Sequence, residues 1–301
     1  MFSESNNFKD SLERYDQAIL QSPEFPDAYY NRGCLYCRLG KLETALEDLC
    51  EAIRLNPTLS DAYINRGWIL HKQGKLETAI EDYTKAISLT PHDAEAYYNR
   101  GCVYDDLEEF EPAINDYNEA IRINPLLVDA YVNRGWDFFV TGRYEQAVQD
   151  YDNAISLNPE IAEAYYNRGI VYCEMRRYEK AIRDYTEAIR LSPMSADAYC
   201  NRGWVYCKLR RYAQAIDDFN DAIRIKSGFA EAFVGRGRAY CGLYNFNQAM
   251  KDLDQAVYFG PKLSIAYFNR ALVYRITGKE SEAREDENRV ADLEHVNRSG
   301  I

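Results

Sequence analysis

The stretch AYYNRG, residues 28–33, decides the fold because the chain repeats it at a fixed interval. Close copies begin at positions 62, 96, 130, 164, 198, 232 and 266, so the spacing is 34 residues with no insertion. A fixed period of this size is typical of a solenoid of supersecondary units, in which each unit packs on its neighbours. The period therefore organises almost the whole chain.

One unit, residues 26–59, is predicted to be a helical hairpin. Good helix formers fill residues 27–39 and 42–55, and the turn Gly40-Lys41 separates them. Small or apolar residues recur at i, i+4 and i+7 on each segment. They are Tyr29, Gly33 and Tyr36 in the first helix, and Ala45, Leu49 and Ala52 in the second. Pro57 ends the second helix, because a residue that precedes proline avoids the helical conformation.

This combination, completed by Pro57, resembles the tetratricopeptide repeat (TPR). The resemblance implies an all-α, right-handed superhelical solenoid of helical hairpins, whose first helices line a concave surface. It divides the chain into an N-terminal half repeat with a second helix only (residues 1–25), eight tandem 34-residue repeats (residues 26–297) and a tail (residues 298–301). The last helix is expected to act as a polar cap, since Glu287 stands where earlier copies have tyrosine.

Charge and composition exclude several classes of function. A net charge of −12 argues against nucleic acid as a partner, because phosphate binding needs clustered Lys and Arg. No apolar run is long enough to cross a bilayer, and the first residues lack a secretory signal. We therefore expect a soluble cytoplasmic protein without membrane insertion.

Catalysis and metal binding find little support in the sequence. The three histidines occupy unrelated repeat positions, so that neither a catalytic triad nor a metal site is suggested. The eight cysteines lie mostly at equivalent repeat positions, too far apart for disulfides. The pair Cys34 and Cys37 is a lone CxxC, with ordinary packing favoured over metal or redox chemistry. We expect no enzyme activity, no cofactor and free thiols.

Two charged rows run through the repeats at matched positions. The arginine of the motif and an aspartate of the second helix are equally far from the hairpin turn, as with Arg32 and Asp48 around Gly40-Lys41. An antiparallel hairpin would place them at one height, so we predict a structural ion pair in most repeats. The alternative is an arginine row that binds an anionic ligand.

The asparagine of the motif forms a third row, which the TPR resemblance places in the concave groove. A side-chain amide can donate to and accept from a peptide bond, so that a ladder of amides can hold an extended chain. The ladder resembles that of the repeat domain of O-linked N-acetylglucosamine transferase. Alternatively, the amides satisfy backbone groups between adjacent first helices. The predicted groove residues are Asn31, Asn65, Asn99, Asn133, Asn167, Asn201, Asn269, Tyr98, Trp136 and Tyr166.

Aromatic and acidic neighbours of the asparagines favour an extended peptide partner of neutral to basic character. We expect the strongest binding in repeats three to five, which carry Asn99, Asn133 and Asn167 without a break, whereas Gly235 interrupts the row later. The sequence thus predicts a non-enzymatic scaffold for protein–protein interaction. Two alternatives remain: the recognition arm of a larger enzyme complex, and self-association through an open N-terminal helix that carries Phe8 and Leu12.

Overall fold

The computed structural model describes residues 2–299, with side chains for residues 8–295, and within them it contains seventeen α-helices and no strand. The helices are α1 Phe2–Gln21, α2 Pro26–Arg38, α3 Leu42–Leu55, α4 Ser60–Lys72, α5 Leu76–Leu89, α6 Ala94–Asp106, α7 Phe110–Ile123, α8 Val128–Val140, α9 Tyr144–Leu157, α10 Ala162–Glu174, α11 Tyr178–Leu191, α12 Ala196–Lys208, α13 Tyr212–Ile225, α14 Ala230–Gly242, α15 Phe246–Phe259, α16 Ser264–Ile276 and α17 Glu280–Ser299. The predicted all-α fold is confirmed.

The helices form two compact units, Met1–Gln146 and Ala147–Ile301, and the division falls within α9. In the first unit, α2 pairs with α3 as a hairpin, and α3 also packs on α4, the first helix of the next repeat. In the second unit, α10 pairs with α11, and α11 packs on α12 in the same way. First helices of adjacent repeats also contact each other, as α6 does with α8 and α12 with α14.

Each of the first seven hairpins closes around small residues on the first helix and one large buried residue on the second. The large residue is fully buried in successive repeats as Leu49, Tyr83, Tyr117, Tyr151, Tyr185, Phe219 and Leu253. A Cβ atom added at Gly101 would lie 2.7 Å from the ring of Tyr117, which leaves room only for glycine. Close approach therefore explains the glycine of the motif and offsets its cost of up to about 1 kcal/mol in helix propensity.

The hairpin turns share one left-handed backbone conformation. Glycine occupies it at Gly40, Gly74, Gly142 and Gly278, with φ between 72° and 78°. Residues with side chains occupy it at Glu108, Arg176, Arg210 and Tyr244, with φ between 56° and 60°. Because this conformation crowds a Cβ atom, these four turns carry a local cost of roughly 1 kcal/mol each.

The terminal helices can be compared with the predicted divisions of the chain: α1 lies within the predicted half repeat, residues 1–25. Helix α1 begins at Phe2, and α17 continues to Ser299, two residues into the predicted tail, while residues 300–301 lie outside the described range. On α17, Glu287 accepts two hydrogen bonds from Arg275 at 2.8 Å, where earlier repeats bury an aromatic or aliphatic side chain. None of the described helices has the length and apolar character that crossing a bilayer requires.

Candidate functional site

The arginine row is engaged in buried ion pairs, as the matched heights predicted. Seven arginines each donate two hydrogen bonds, from Nε and Nη2, to both oxygens of their aspartate at 2.7–2.8 Å. The pairs are Arg32–Asp48, Arg66–Asp82, Arg100–Asp116, Arg168–Asp184, Arg202–Asp218, Arg236–Asp252 and Arg270–Asp286. Such pairs hold register more surely than they add net stability.

Each arginine also reaches the preceding repeat, a contact that the sequence analysis missed. The remaining nitrogen, Nη1, donates to a residue sixteen positions earlier, on the second helix before. Arg32 bonds Asp16 at 2.7 Å, and Arg100 bonds Thr84 at 2.9 Å. The acceptors are Asp16, Cys50, Thr84, Asn118, Asp152, Thr186, Asn220 and Asp254. The sequence contains a signal for this contact, because a side chain that can accept a hydrogen bond stands sixteen residues before every one of these arginines.

An aromatic ring three residues earlier completes the environment of the arginine. The Arg66 guanidinium lies 5.5 Å from the ring centre of Tyr63, and Arg236 lies 5.4 Å from that of Phe233. At this distance a guanidinium is attracted to the face of the ring. With all its nitrogens and one face occupied, the arginine row serves the stacking of repeats, and the anionic-ligand alternative loses its basis.

The asparagine row divides into groups with different partners. The amides of Asn65, Asn133 and Asn201 each donate to a tyrosine hydroxyl thirty-five positions earlier, at 3.0–3.4 Å. The tyrosines are Tyr30, Tyr98 and Tyr166, on the first helix of the preceding repeat. These asparagines therefore join adjacent first helices through side chains, not through the backbone groups that the alternative interpretation required.

The other asparagines make different contacts. Asn31 donates to the Asp27 carbonyl of its own helix, and Asn269 donates to that of Ile265, both at 2.7 Å. The amide of Asn99 makes no hydrogen bond to any described residue, since Ile64 stands where a tyrosine would face it. Asn167 also lacks a hydrogen bond within the described part of the chain but is only 9% exposed. Asn99 is thus a half-buried amide without a hydrogen-bond partner among the described residues.

A cleft of about 480 Å³ contains Asn99 and lies on the first helices of repeats one to three. Its other lining residues include Tyr30, Ile64, Asn65, Trp68 and Glu95. Trp68 is 38% exposed, which is high for so large an apolar side chain. An amide, an exposed indole and a carboxylate thus border one concave place.

The predicted aromatic residues lie on the same kind of face. The ring of Tyr98 packs 5.9 Å from Tyr117, and that of Tyr166 packs 5.9 Å from Tyr185. Burial is the main cause that raises the pKa of both hydroxyls, so that they stay protonated at neutral pH. Trp136 is 41% exposed and packs at a tilt against Phe139. Tyr98 and Tyr166 position asparagines, whereas Trp136 presents surface.

A second cleft, of about 670 Å³, lies on α10–α12 in the other unit. Ile170, Trp204 and Val205 form its apolar wall, and Arg176 and Lys208 border it with positive charge. All eight cysteines are free, and burial raises the pKa of Cys173 in this cleft, which makes its thiol less reactive. Within the described residues, no three His, Cys, Asp or Glu side chains come together as metal ligands.

Comparison with known proteins identifies the repeat. Models described as "TPR repeat" match residues 33–74, 67–107 and 137–176. Models described as "Tetratricopeptide repeat" match residues 94–125, 162–195 and 196–229, and also residues 15–47. Together the matches span more than half of the chain. A search of curated protein sequences finds no significant match.

Solved structures share the architecture. A tetratricopeptide repeat protein from Parabacteroides merdae ATCC 43184 is 25% identical over 82% of this chain and 98% of its own, with a TM-score of 0.60. MamA is 27% identical over 56% of this chain and 92% of its own, with a TM-score of 0.52. YrrB, described as a TPR protein with an unusual peptide-binding site, is 24% identical over 62% and 96%, with a TM-score of 0.54. At this identity the YrrB similarity concerns the fold.

Proposed function

Because this chain belongs to the tetratricopeptide repeat family, whose repeats form protein-interaction scaffolds, we propose that it is a non-enzymatic scaffold that binds an extended peptide. The peptide lies along the first helices of repeats one to three. The observation that carries the proposal is the amide of Asn99, which has no hydrogen-bond partner in the described part of the chain and borders a cleft beside the exposed Trp68. A peptide bond supplies both the donor and the acceptor that this amide lacks.

The charge of this face favours a neutral to basic partner. The acidic residues that begin the first helices in this unit, Asp27, Asp61, Glu95 and Asp129, are at least partly exposed. No described residue forms a salt bridge with any of them. They complement the helix dipoles, and they also leave negative charge for a lysine or arginine of the peptide.

The ladder works differently from a uniform row. Asn65 and Asn133 each donate to a tyrosine hydroxyl and a thiol of the preceding repeat, so each offers a peptide its oxygen. Asn99 offers its whole amide. The alternation predicts that the peptide's hydrogen bonds concentrate at Asn99, with the neighbouring asparagines as weaker contacts.

A library of linear peptides displayed on phage, selected on the intact chain, tests the proposal. Selected peptides should be rich in Lys, Arg and aromatic residues. Asn99→Ala should weaken their binding about two- to tenfold, since one hydrogen bond is worth about 0.5–1.5 kcal/mol. Asn31→Ala is the matched control, because that amide already bonds its own helix. Failure to enrich any peptide, or equal effects of the two variants, would contradict peptide binding at Asn99.

A second candidate function, self-association, is favoured by an apolar stripe on α16. Ile265, Phe268, Leu272 and Ile276 lie on one helical face and are 40–60% exposed. Self-association through the N-terminal helix, as predicted from the sequence, is less favoured because Phe8 and Leu12 on α1 are half-buried. Light scattering distinguishes the monomer from the self-associated protein, and the Phe268→Lys variant should be monomeric where the unaltered chain associates. A monomer at all concentrations would remove this candidate.

A further inference from the structure

Asp137 on α8 stands where the other repeats place an aliphatic side chain in the core. The equivalent residues are Leu35, Ile69, Val103, Val171, Val205, Ala239 and Val273. Asp137 is as buried as they are, with 0% of its surface exposed. A carboxyl group at such a position is costly unless it is hydrogen-bonded or neutral.

No donor reaches either carboxyl oxygen of Asp137 among the described residues. Arg143, the cation whose field acts on Asp137, binds other residues: its Nη2 donates to Glu111 at 2.7 Å, and its Nε donates to Thr141 at 2.9 Å. Arg143 therefore offers Asp137 only its field and no direct bond. The usual ways of accommodating a buried carboxylate, an ion pair or a set of N–H donors, are missing among the described residues.

The group that faces Asp137 is another carboxyl group, Asp105 on α6, within hydrogen-bonding reach. Asp105 Oδ2 accepts a hydrogen bond of 2.5 Å from the Tyr117 hydroxyl on α7, while its Oδ1 is buried without a donor in the described part of the chain. Two carboxylates cannot bond each other, since both only accept. A single proton on Asp137 would give Asp105 Oδ1 its missing donor and remove one buried charge.

We propose that Asp105 and Asp137 share one proton at neutral pH, that this hydrogen bond joins the first helices of repeats three and four, and that it is lost as pH rises. Burial and the bond to Asp105 raise the pKa of Asp137 to about 9, against the weaker opposing field of Arg143. Burial also raises the pKa of Asp105, and the nearby Asp106 adds to this increase.

The shared proton is connected to the proposed peptide-binding face through Tyr117. Because Tyr117 gives its proton to Asp105, its oxygen accepts from the Asn133 amide at 3.4 Å. Asn133 also donates towards Cys102, whose thiol lies beside the same hydroxyl. Loss of the proton would therefore disturb the contacts that orient one asparagine of the ladder. The proton itself does not depend on whether a peptide binds.

The direction of the pH effect follows from the raised pKa. An unfolded aspartate titrates near pH 4, so the stabilisation is complete below about pH 4 and is lost progressively as pH rises towards 9. Across this window the unfolding equilibrium constant should rise by up to about tenfold per pH unit through this pair. Carboxylates paired with arginine have the opposite tendency, which makes a difference measurement necessary.

The test is urea unfolding of the intact chain and of Asp137→Asn at a series of pH values between about 5 and 9. The amide introduced by this substitution keeps a donor for Asp105 but cannot ionise. The variant should therefore gain on the wild type as pH rises, by about tenfold or more in the unfolding constant between the extremes. Asp137→Val, which copies the other repeats, provides a second variant. Infrared spectra should show a protonated carboxyl band at neutral pH that both variants lack.

Two results would overturn the proposal. Parallel pH profiles for wild type and both variants, without the protonated carboxyl band, would mean that Asp137 is ionised. Stabilisation of the wild type by Mg²⁺ or Ca²⁺ alone, reversed by a chelator and missing in Asp137→Asn, would mean that the two carboxylates hold a cation and not a proton. Neither result depends on a peptide, so the proposed function stands or falls separately.

Discussion

Repeats three and four and repeats five and six use identical helix lengths but different chemistry at equivalent positions. Helices α6, α8, α10 and α12 all have 13 residues. Asp105 and Asp137 in the first region correspond to Cys173 and Val205 in the second, where the Cys173 thiol lies 3.6 Å from the Tyr185 hydroxyl. The same repeat backbone thus accommodates either a pair of carboxyl groups or a thiol with an aliphatic side chain. The difference lies in the residues at these two positions alone.

The largest expected effect is one that the two regions share. Arg100 and Arg202 have the same partners, an aspartate on their own second helix and a threonine on the preceding one. Arg100→Met and Arg202→Met should each lower the free energy of unfolding by about 3–5 kcal/mol, because each strands a buried aspartate. Urea unfolding measures both.

Arg54→Met is the control, since Arg54 pairs with Glu51 in solvent and its loss should have an effect close to zero. A small loss for Arg100→Met with a large one for Arg202→Met would break the comparison, because it would mean that the two regions stack their repeats differently.

A medium effect should separate the regions. The Tyr117 hydroxyl donates to the Asp105 carboxyl group, whereas among the described residues the Tyr185 hydroxyl contacts only the Cys173 thiol. Removing the hydroxyl in Tyr117→Phe should cost about 1.5 kcal/mol, and in Tyr185→Phe less than about 0.5 kcal/mol, because sulfur is a weak hydrogen-bond partner. Phe219 occupies the equivalent position and shows that phenylalanine fits. Equal losses of unfolding free energy, measured by thermal or urea unfolding, would show that the hydrogen bond from Tyr117 does not stabilise the carboxyl pair.

The smallest effect lies in the turns and should again be common to both regions. Glu108 and Arg176 adopt left-handed backbone conformations, with φ of 58° and 56°. Glu108→Gly and Arg176→Gly should each raise the free energy of unfolding by about 0.5–1 kcal/mol, since relief of Cβ crowding exceeds the entropy that glycine adds to the unfolded chain. Glycine at a helical position such as Glu179 should instead destabilise, and urea unfolding of the three variants compares them.

Much of this structure could be predicted from the period. Helix α3 occupies the predicted residues 42–55, and the ion pair of Arg66 with Asp82 follows from equal distances to a turn. Both depend on contacts inside one repeat, where sequence spacing fixes geometry. The acceptor of the third arginine nitrogen depends on how one hairpin packs on the next. Sequence spacing within one repeat does not determine that packing, so this contact could not be predicted in the same way.

The site was harder to predict for the same reason. Whether an asparagine is free depends on the residue thirty-five positions earlier, which is Tyr30 for Asn65 but Ile64 for Asn99. A uniform row of amides was therefore expected, whereas asparagines with and without a tyrosine partner alternate among the described residues. Asp137 could have been recognised from its seven aliphatic counterparts, but its facing partner Asp105 lies in the neighbouring repeat, and only packing brings the two together.

The double reach of the arginines bears on how such a chain can change length. Seven of the arginines bind one partner sixteen residues ahead and another sixteen residues behind. Deleting or duplicating a 34-residue block therefore keeps both spacings for these arginines. Among the described residues, the tyrosine–asparagine hydrogen bonds recur in every second repeat. Gain or loss of two blocks keeps this alternation, whereas gain or loss of one block interrupts it. The arginine contacts are thus compatible with duplication of single repeats, whereas the tyrosine–asparagine hydrogen bonds are compatible with duplication of repeat pairs.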